Sequence, residues 1–309
     1  MQQIKTWALA GSLVAAFGLA HAGAVKTDED TEYRPTGKGH PEVDHAPGAK
    51  GRNQAAAAAT GKNGMVYHGG PLLNSTAGTN IYYIWYGNWS GNTATTILTN
   101  LASNIAPSPY FNINTSYYDG ANRRVTNAAH YLGATTDSYS KGTALSDNNI
   151  QSIVSDAIGS GRLPKDSNAV YFVLTSADVN ATSGFCTQYC GWHTHGTIAG
   201  ADIKYSFVGN PDRCPSACAD QATSPNGNAG ADGMASIVAH EFEEAVTDPD
   251  LNAWYDRRGA ENADKCAWTF GTTSTAANGS QYNVVLGGAR YLIQRNWVNA
   301  GGGYCSMTY

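Results

Sequence analysis

Asp232-Gly-Met-Ala-Ser-Ile-Val-Ala-His240-Glu241-Phe-Glu-Glu244-Ala-Val-Thr-Asp248-Pro249 is the segment of this chain in which a fold and a chemistry can be read together. Asp232 is a candidate N-cap, and Pro249 disfavours helical geometry at Asp248, so the spacing predicts a helix over about 233–247. At roughly 100° per residue, Met234, Val238, Phe242, Ala245 and Val246 gather on one face. His240, Glu244 and Asp248 form a second stripe at i, i+4 and i+8. Side chains one turn apart can grip a single cation, and in an HExxH helix the Glu after the first His polarises a metal-bound water. Here Glu244 stands where the second His would be, which leaves His240-Glu241-x-x-Glu244. A carboxylate is an acceptable zinc ligand, although it donates more charge and makes the metal less electrophilic.

A catalytic zinc takes three protein ligands and keeps water in the fourth position, so a third ligand must come from outside the helix. Downstream, Gly259-Ala-Glu261-Asn-Ala-Asp264-Lys-Cys266 offers two carboxylates just before a cysteine that would pin the loop. Glu261 is the first choice and Asp264 the second; Asp248, and His193 or His195 in Cys190-Gly-Trp-His-Thr-His-Gly196, are reserves. In this scheme zinc is the cofactor, His240, Glu244 and Glu261 hold it, and Glu241 is the general base. The plainer alternative makes Glu241, Glu243 and Glu244 a solvated helix face, with His193 and His195 bonded to loop backbone. Calcium is a third possibility because carboxylates outnumber imidazoles, but His240 is a poor calcium ligand.

Working outward, Ile81 to Trp85, Ala169 to Leu174 and Ile203 to Val208 are rich in β-branched and aromatic residues and read as strands. Thr93 to Ile105 and Ser146 to Ile158 carry apolar residues at helical spacing. Strands alternating with helices imply an α/β (or α+β) fold. The expected architecture is a single zincin-like domain at 64–309, with a central sheet, an active-site helix and a disulfide-stapled C-terminal half. Two apolar runs, Tyr282 to Leu286 and Tyr291 to Ile293, suggest a late hairpin.

Residues 1–22 combine Lys5, an apolar run from Trp7 to Leu19 and Ala20-His21-Ala22, the pattern of a secretory signal peptide. Residues 23–63 are polar, too poor in apolar side chains to build a core, and read as a flexible leader or propeptide. Of 309 residues only 14% are charged, and the formal net charge of −5 leaves no footprint for nucleic acid. After signal cleavage no segment is expected to cross a membrane. The six cysteines, Cys186, Cys190, Cys214, Cys218, Cys266 and Cys305, imply disulfides in an exported protein. Locality favours Cys186 with Cys190, Cys214 with Cys218, and Cys266 with Cys305. There is no G-x-S-x-G, and every cysteine has a disulfide partner to hand, so no serine or cysteine nucleophile competes.

An ordered string of motifs also resembles a known family. Gly70-Pro-Leu-Leu73, Ile81-Tyr-Tyr-Ile-Trp-Tyr-Gly87, Val173-Leu-Thr-Ser-Ala-Asp-Val179, Phe185-Cys186 to Cys190-Gly191 with His195-Gly196, Val208-Gly-Asn210, Cys214-Pro to Cys218-Ala, and Pro225-Asn-Gly227 with Asp232-Gly-Met234 are similar to stretches of the EXORDIUM, or phosphate-induced protein 1, family. Ala239 to Glu244, Asn252 to Tyr255 and Glu261 to Cys266 resemble its AHE-x-x-E, NAWY and E-x-x-D-x-C elements. The resemblance implies that His240, Glu241, Glu244, Glu261 and Asp264 share one site. It also implies an extracellular or cell-wall location and, in plants, growth promotion, without a settled biochemical activity. The acidic leader and the Thr247-Asp248-Pro249 helix end depart from the plant pattern and suggest a microbial member. Two functions follow as expectations: a secreted zinc-dependent hydrolase acting on a peptide or protein substrate, or a non-catalytic extracellular protein that binds cell-wall glycan through exposed Tyr and Trp.

Overall fold

Five strands carry the domain: β1 (Thr79–Tyr86), β2 (Ala129–Asp137), β3 (Ala169–Thr175), β4 (Gly191–Ile198) and β5 (Ala201–Val208). The computed structural model describes Pro35, Lys38 and residues 64–309; the expected signal peptide and nearly all of the leader lie outside the described residues. The sheet has the order β2-β1-β3-β5-β4. β1 runs parallel to β2 and β3, and β3 to β5, whereas β4 is antiparallel to β5 at the edge. The central strands are nearly unbroken apolar runs because both faces of the sheet are covered; β3 is buried at every position.

The covering elements follow from which side chains point where. Tyr83 and Phe172 face one side: Tyr83 OH donates to the Leu98 carbonyl of helix α1 (Ala94–Asn104), and Phe172 packs edge-on against Phe242 of helix α3 (Ala229–Thr247), with ring centroids 6.2 Å apart. Tyr82 and Tyr171 stack on the opposite side. Helix α2 (Asp147–Gly159), which joins β2 to β3, starts with a capping box in which the Ser146 hydroxyl accepts from Asn149 N–H and the Asn149 side chain accepts from Ser146 N–H.

Helix α3 occupies the centre. The sheet lies on one side, and Phe111 stacks on Phe242 from another at 5.2 Å. Every residue from Gly230 to Thr247 is buried. The helix begins four residues earlier than predicted, and its cap is Asn228, whose side chain accepts from Ala231 N–H at 3.0 Å. Asp232 is not the cap, because its carboxylate is taken up by the backbone and side-chain N–H groups of Asn226. The late hairpin pairs Val284–Leu286 with Ala289–Tyr291, so its second strand ends at Tyr291, where the predicted one began. Gly287 and Gly288 both adopt positive φ there, as a two-residue hairpin turn requires.

The local disulfide pairing is overturned. Cys186 bonds Cys214 and Cys190 bonds Cys218; the third pair, Cys266 with Cys305, is as expected. Cys214 and Cys218 bracket the single helical turn Pro215–Cys218, and residues four apart on a helix project their side chains in one direction. They therefore present a matched pair of sulfurs to the turn at 186–190 rather than facing each other, and a bridge needs Cβ vectors that converge. All three disulfides lie in the C-terminal half, and no helix among the described residues is long and apolar enough to cross a membrane.

The two parallel bridges each span a sequence separation of 28 and tie the same two segments. Loop closure stabilises by restricting the unfolded chain, on the order of 3–4 kcal/mol for a loop of that length, but the second bridge closes a loop that is already closed. Serine replacement of Cys190 and Cys218 is therefore expected to cost well under half of what replacing all four of Cys186, Cys190, Cys214 and Cys218 costs. Denaturant unfolding of the two variants against wild type measures the difference.

Candidate metal centre

α3 lies along the edge strand β4, and the two are in contact over a long stretch because one strand residue there has no side chain. A Cβ placed on Gly191 would come within 2.5 Å of Ile237 Cγ2 and 3.0 Å of Glu241 Oε1, so glycine is what lets the helix approach. Positions i and i+2 of a strand share a face. His193 follows Gly191 towards the C-terminal half of α3, and His195 projects beyond it near Asp250. The 259–266 loop closes the other side, held by the Cys266–Cys305 bridge and by the Trp297 N–H donating to Asn262 O.

These elements bring together His193, His240, Glu241, Glu244, Glu261 and Asp264, each no more than 4% exposed. His240 Nε2 lies 3.1 Å from Glu244 Oε1 and 3.5 Å from Asp264 Oδ1. His193 Nε2 lies 3.2 Å from both Glu261 oxygens and 3.7 Å from Glu244 Oε2. Asp264 N–H donates to Glu244 Oε1 at 2.9 Å, and Glu261 N–H to Asp264 Oδ2 at 3.2 Å, so the loop and the helix fix one another. The sequence's first choice, Glu261, reaches the cluster but meets His193 rather than His240. Its second choice, Asp264, is the residue that meets His240. A solvated glutamate face is ruled out by the burial of Glu241, Glu243 and Glu244.

Two reserves take other roles. Asp248 accepts through Oδ1 from the N–H groups of Asn252 and Ala253, both at 2.6 Å, which ends α3 and turns the chain; its buried Oδ2 has no hydrogen-bond partner among the described residues. His195 is half-exposed, with Nδ1 2.8 Å from Asp202, while Lys204 Nζ lies 3.1 Å from Asp250 and also pairs with Asp202. In that triad the ammonium of Lys204 stands where a cation would.

The electrostatics follow from desolvation. Burial drives His193 down to about 3, and burial together with the neighbouring Glu244 and Asp248 charges holds Glu261 well above the usual carboxylate range, so the contact between them is a neutral hydrogen bond. Burial raises Glu244 to about 7, with Asp264 adding to the effect. Burial pulls His240 down, but Glu244 and the hydrogen bond to Asp264 outweigh it and the imidazole stays protonated well above its ordinary pKa. Glu243 faces away, its Oε2 accepting from Asn296 at 2.6 Å, and burial lifts it to about 8.

Chemically, imidazole nitrogens and carboxylate oxygens about one coordination sphere apart suit zinc and its divalent neighbours better than calcium or magnesium. Both triads, His240 with Glu244 and Asp264 and His193 with Glu244 and Glu261, bring three donor atoms within 4.8 Å of one another.

The sequence profile described as the phosphate-induced protein 1 conserved region matches residues 65–305. The chain belongs to the phosphate-induced protein 1 family. Among plant relatives, Protein EXORDIUM-like 5 of Arabidopsis thaliana is 32% identical over 271 residues, covering 75% of this chain and 74% of its own. Protein EXORDIUM-like 3 of the same plant is also 32% identical, covering 75% and 79%. Protein PHOSPHATE-INDUCED 1 of Nicotiana tabacum is 29% identical over 222 residues, covering 62% and 67%. No solved structure matches the chain. The relatives named are from plants, so they lend nothing to the microbial origin suggested by the leader.

What the sequence missed is β4. Gly191-Trp-His-Thr-His has a period-two pattern, Trp192 on one face and Gly191, His193 and His195 on the other, which marks a strand and would have put His193 opposite the helix.

Asp248 and Glu243 have folded-state pKa values of about 7 and about 8, set by burial, against about 4 in an unfolded chain. Below pH 4 both states hold these protons; above it the unfolded state releases them first. Each group's contribution is thus full at low pH and is lost as pH rises through the folded-state value. His193, held down at about 3, opposes this by about 3 kcal/mol between about pH 4 and its unfolded value, so chelator-treated protein is expected to lose a net of several kcal/mol of unfolding free energy between about pH 4 and pH 8. Urea unfolding across that range checks the slope.

Proposed function

We propose that this protein is an exported member of the EXORDIUM family that works by binding rather than by turnover, and that its buried histidine–carboxylate cluster holds a divalent cation, zinc in the first instance, as part of its architecture. The observation that carries this reading is burial: the groups that would hold the cation and the candidate base Glu241 are all at most 4% exposed. A cation there would replace the protons that burial otherwise forces onto Glu244 and Glu261, and its binding energy would be folding energy. Three disulfides support a compartment outside the cytoplasm. The partner class that fits an extracellular family member is cell-wall glycan. The aromatic platform for it is narrower than expected, since Trp85, Trp89, Trp192, Trp254 and Trp297 are buried and, among the described residues, Tyr304 and Tyr309 are the aromatics nearly half-exposed.

A second reading, a zincin-like hydrolase cleaving a peptide or protein substrate, is supported by the placement of Glu241 directly after His240 on a helix whose metal-facing stripe is met by a third carboxylate, Asp264. In it Glu241 is the general base.

The two readings part at Glu241. Under the binding reading, zinc-loaded wild type shows no hydrolysis of a peptide library, chelation lowers its Tm by roughly 5–10 °C, and Glu241→Gln retains wild-type retention on immobilised cell-wall polysaccharide while Tyr304→Ala with Tyr309→Ala reduces it about tenfold or more. Zinc-dependent hydrolysis abolished by Glu241→Gln would overturn that reading in favour of the second.

A further inference from the structure

The cluster has more ligands than one cation can use, and their division is not arbitrary. Metal–nitrogen and metal–oxygen bonds of about 2.1 Å put neighbouring ligand atoms of a tetrahedral ion roughly 3.4 Å apart and no two ligands of one ion more than about 4.2 Å apart. The separations of 3.1 and 3.5 Å around His240, and of 3.2 and 3.7 Å around His193, fall on the first of these values. Among the described residues, no triad of donors within 4.8 Å contains both imidazoles, so one ion does not collect them. The two triads share a single residue, Glu244, and they use different oxygens of it: Oε1 faces His240 and Oε2 faces His193.

We infer that the site is dinuclear: two divalent transition-metal cations bridged by the Glu244 carboxylate, one held by His240 and Asp264, the other by His193 and Glu261. This rests on the reading that the cluster binds metal at all. A carboxylate that presents one oxygen to each of two ions is how paired sites hold their metals about 3.5–4 Å apart.

Two further observations bear on the arrangement. The side chains that meet the carboxylates of Glu244 and Glu261 are the imidazoles of His193 and His240, each through Nε2. Asp248, fully buried, keeps Oδ2 without a hydrogen-bond partner among the described residues and lies within electrostatic reach of Glu244 and Glu261. It stands ready as an additional donor on the His193 side, towards Glu261. One divalent cation would leave one histidine and one carboxylate of this cluster as a buried pair with no metal between them. Two use all of it.

The test uses the full secreted chain with its disulfides intact, stripped with a chelator and reloaded with Zn(II) for stoichiometry or Mn(II) for spectroscopy. Mass-spectrometric metal analysis is expected to give two zinc per chain in wild type and one in both His193→Ala and His240→Ala. Electron paramagnetic resonance of the Mn(II)-loaded wild type is expected to show the multiline spectrum of two coupled ions, which needs no variant to fold. One zinc per chain, with an isolated six-line Mn(II) signal, overturns the dinuclear inference and leaves a single metal in place. No zinc above that of a heat-unfolded control overturns both this inference and the reading beneath it.

Discussion

The constraint on which the rest of this molecule depends is that a helix bearing three glutamates and a histidine within five residues has been placed where water does not reach. In most proteins such a segment would be a surface helix, since a carboxylate taken out of water loses several kcal/mol unless something answers its charge. Here the sheet, Phe111 and the loop at 259–266 close around α3, and the charge must be dealt with inside. The structure does this in two ways. Glu243 is paired with amide groups of Asn296 and kept protonated. Glu244 and Glu261 are gathered around two imidazoles instead. The first solution is structural and self-contained; the second leaves donor atoms converging on a common space.

Much of the scaffold was legible in the chain. The strands at Ile81, Ala169 and Ile203 and the helices at Thr93 and Ser146 stand within one or two residues of their predicted limits, because buried parallel strands and amphipathic helices have strong apolar periodicity. β2 was not legible, since its Gly133 and alternately exposed residues make a weak edge-strand signal. β4 was hidden for a different reason: its histidines and threonines read as polar loop until the helix beneath them is known. The site was legible in its membership and not in its pairing. Spacing on the helix joined His240 to Glu244, and a nearby cysteine pointed to the 261–264 loop, but nothing in one dimension says that Glu261 turns to the strand while Asp264 turns to the helix.

The disulfides show the same limit. Counting and locality gave the right six residues and one right pair, and went wrong where two short-range motifs cross-link to each other. Sequence distance is a poor guide when a one-turn helix aligns both of its sulfurs on the same neighbour. Correctly paired, the bridges brace the segment that leads into β4 against the segment that leads into α3. The strand and helix that share the cluster are thus covalently tied just upstream of it.

The glycine at 191 has a consequence for how far such a cluster can extend. A strand advances about 6.6 Å between side chains on the same face, whereas four residues of helix advance about 6 Å. Two scales so nearly equal behave as a vernier: they stay in step for a few divisions and then drift apart. Gly191, between Ile237 and Glu241, sets the zero, His193 beside Glu244 is the next coincidence, and by His195 the helix has ended and Asp250 pairs with Lys204 instead. The zone in which strand and helix side chains can address the same point is therefore about one turn long, and the chain has filled it with ligands.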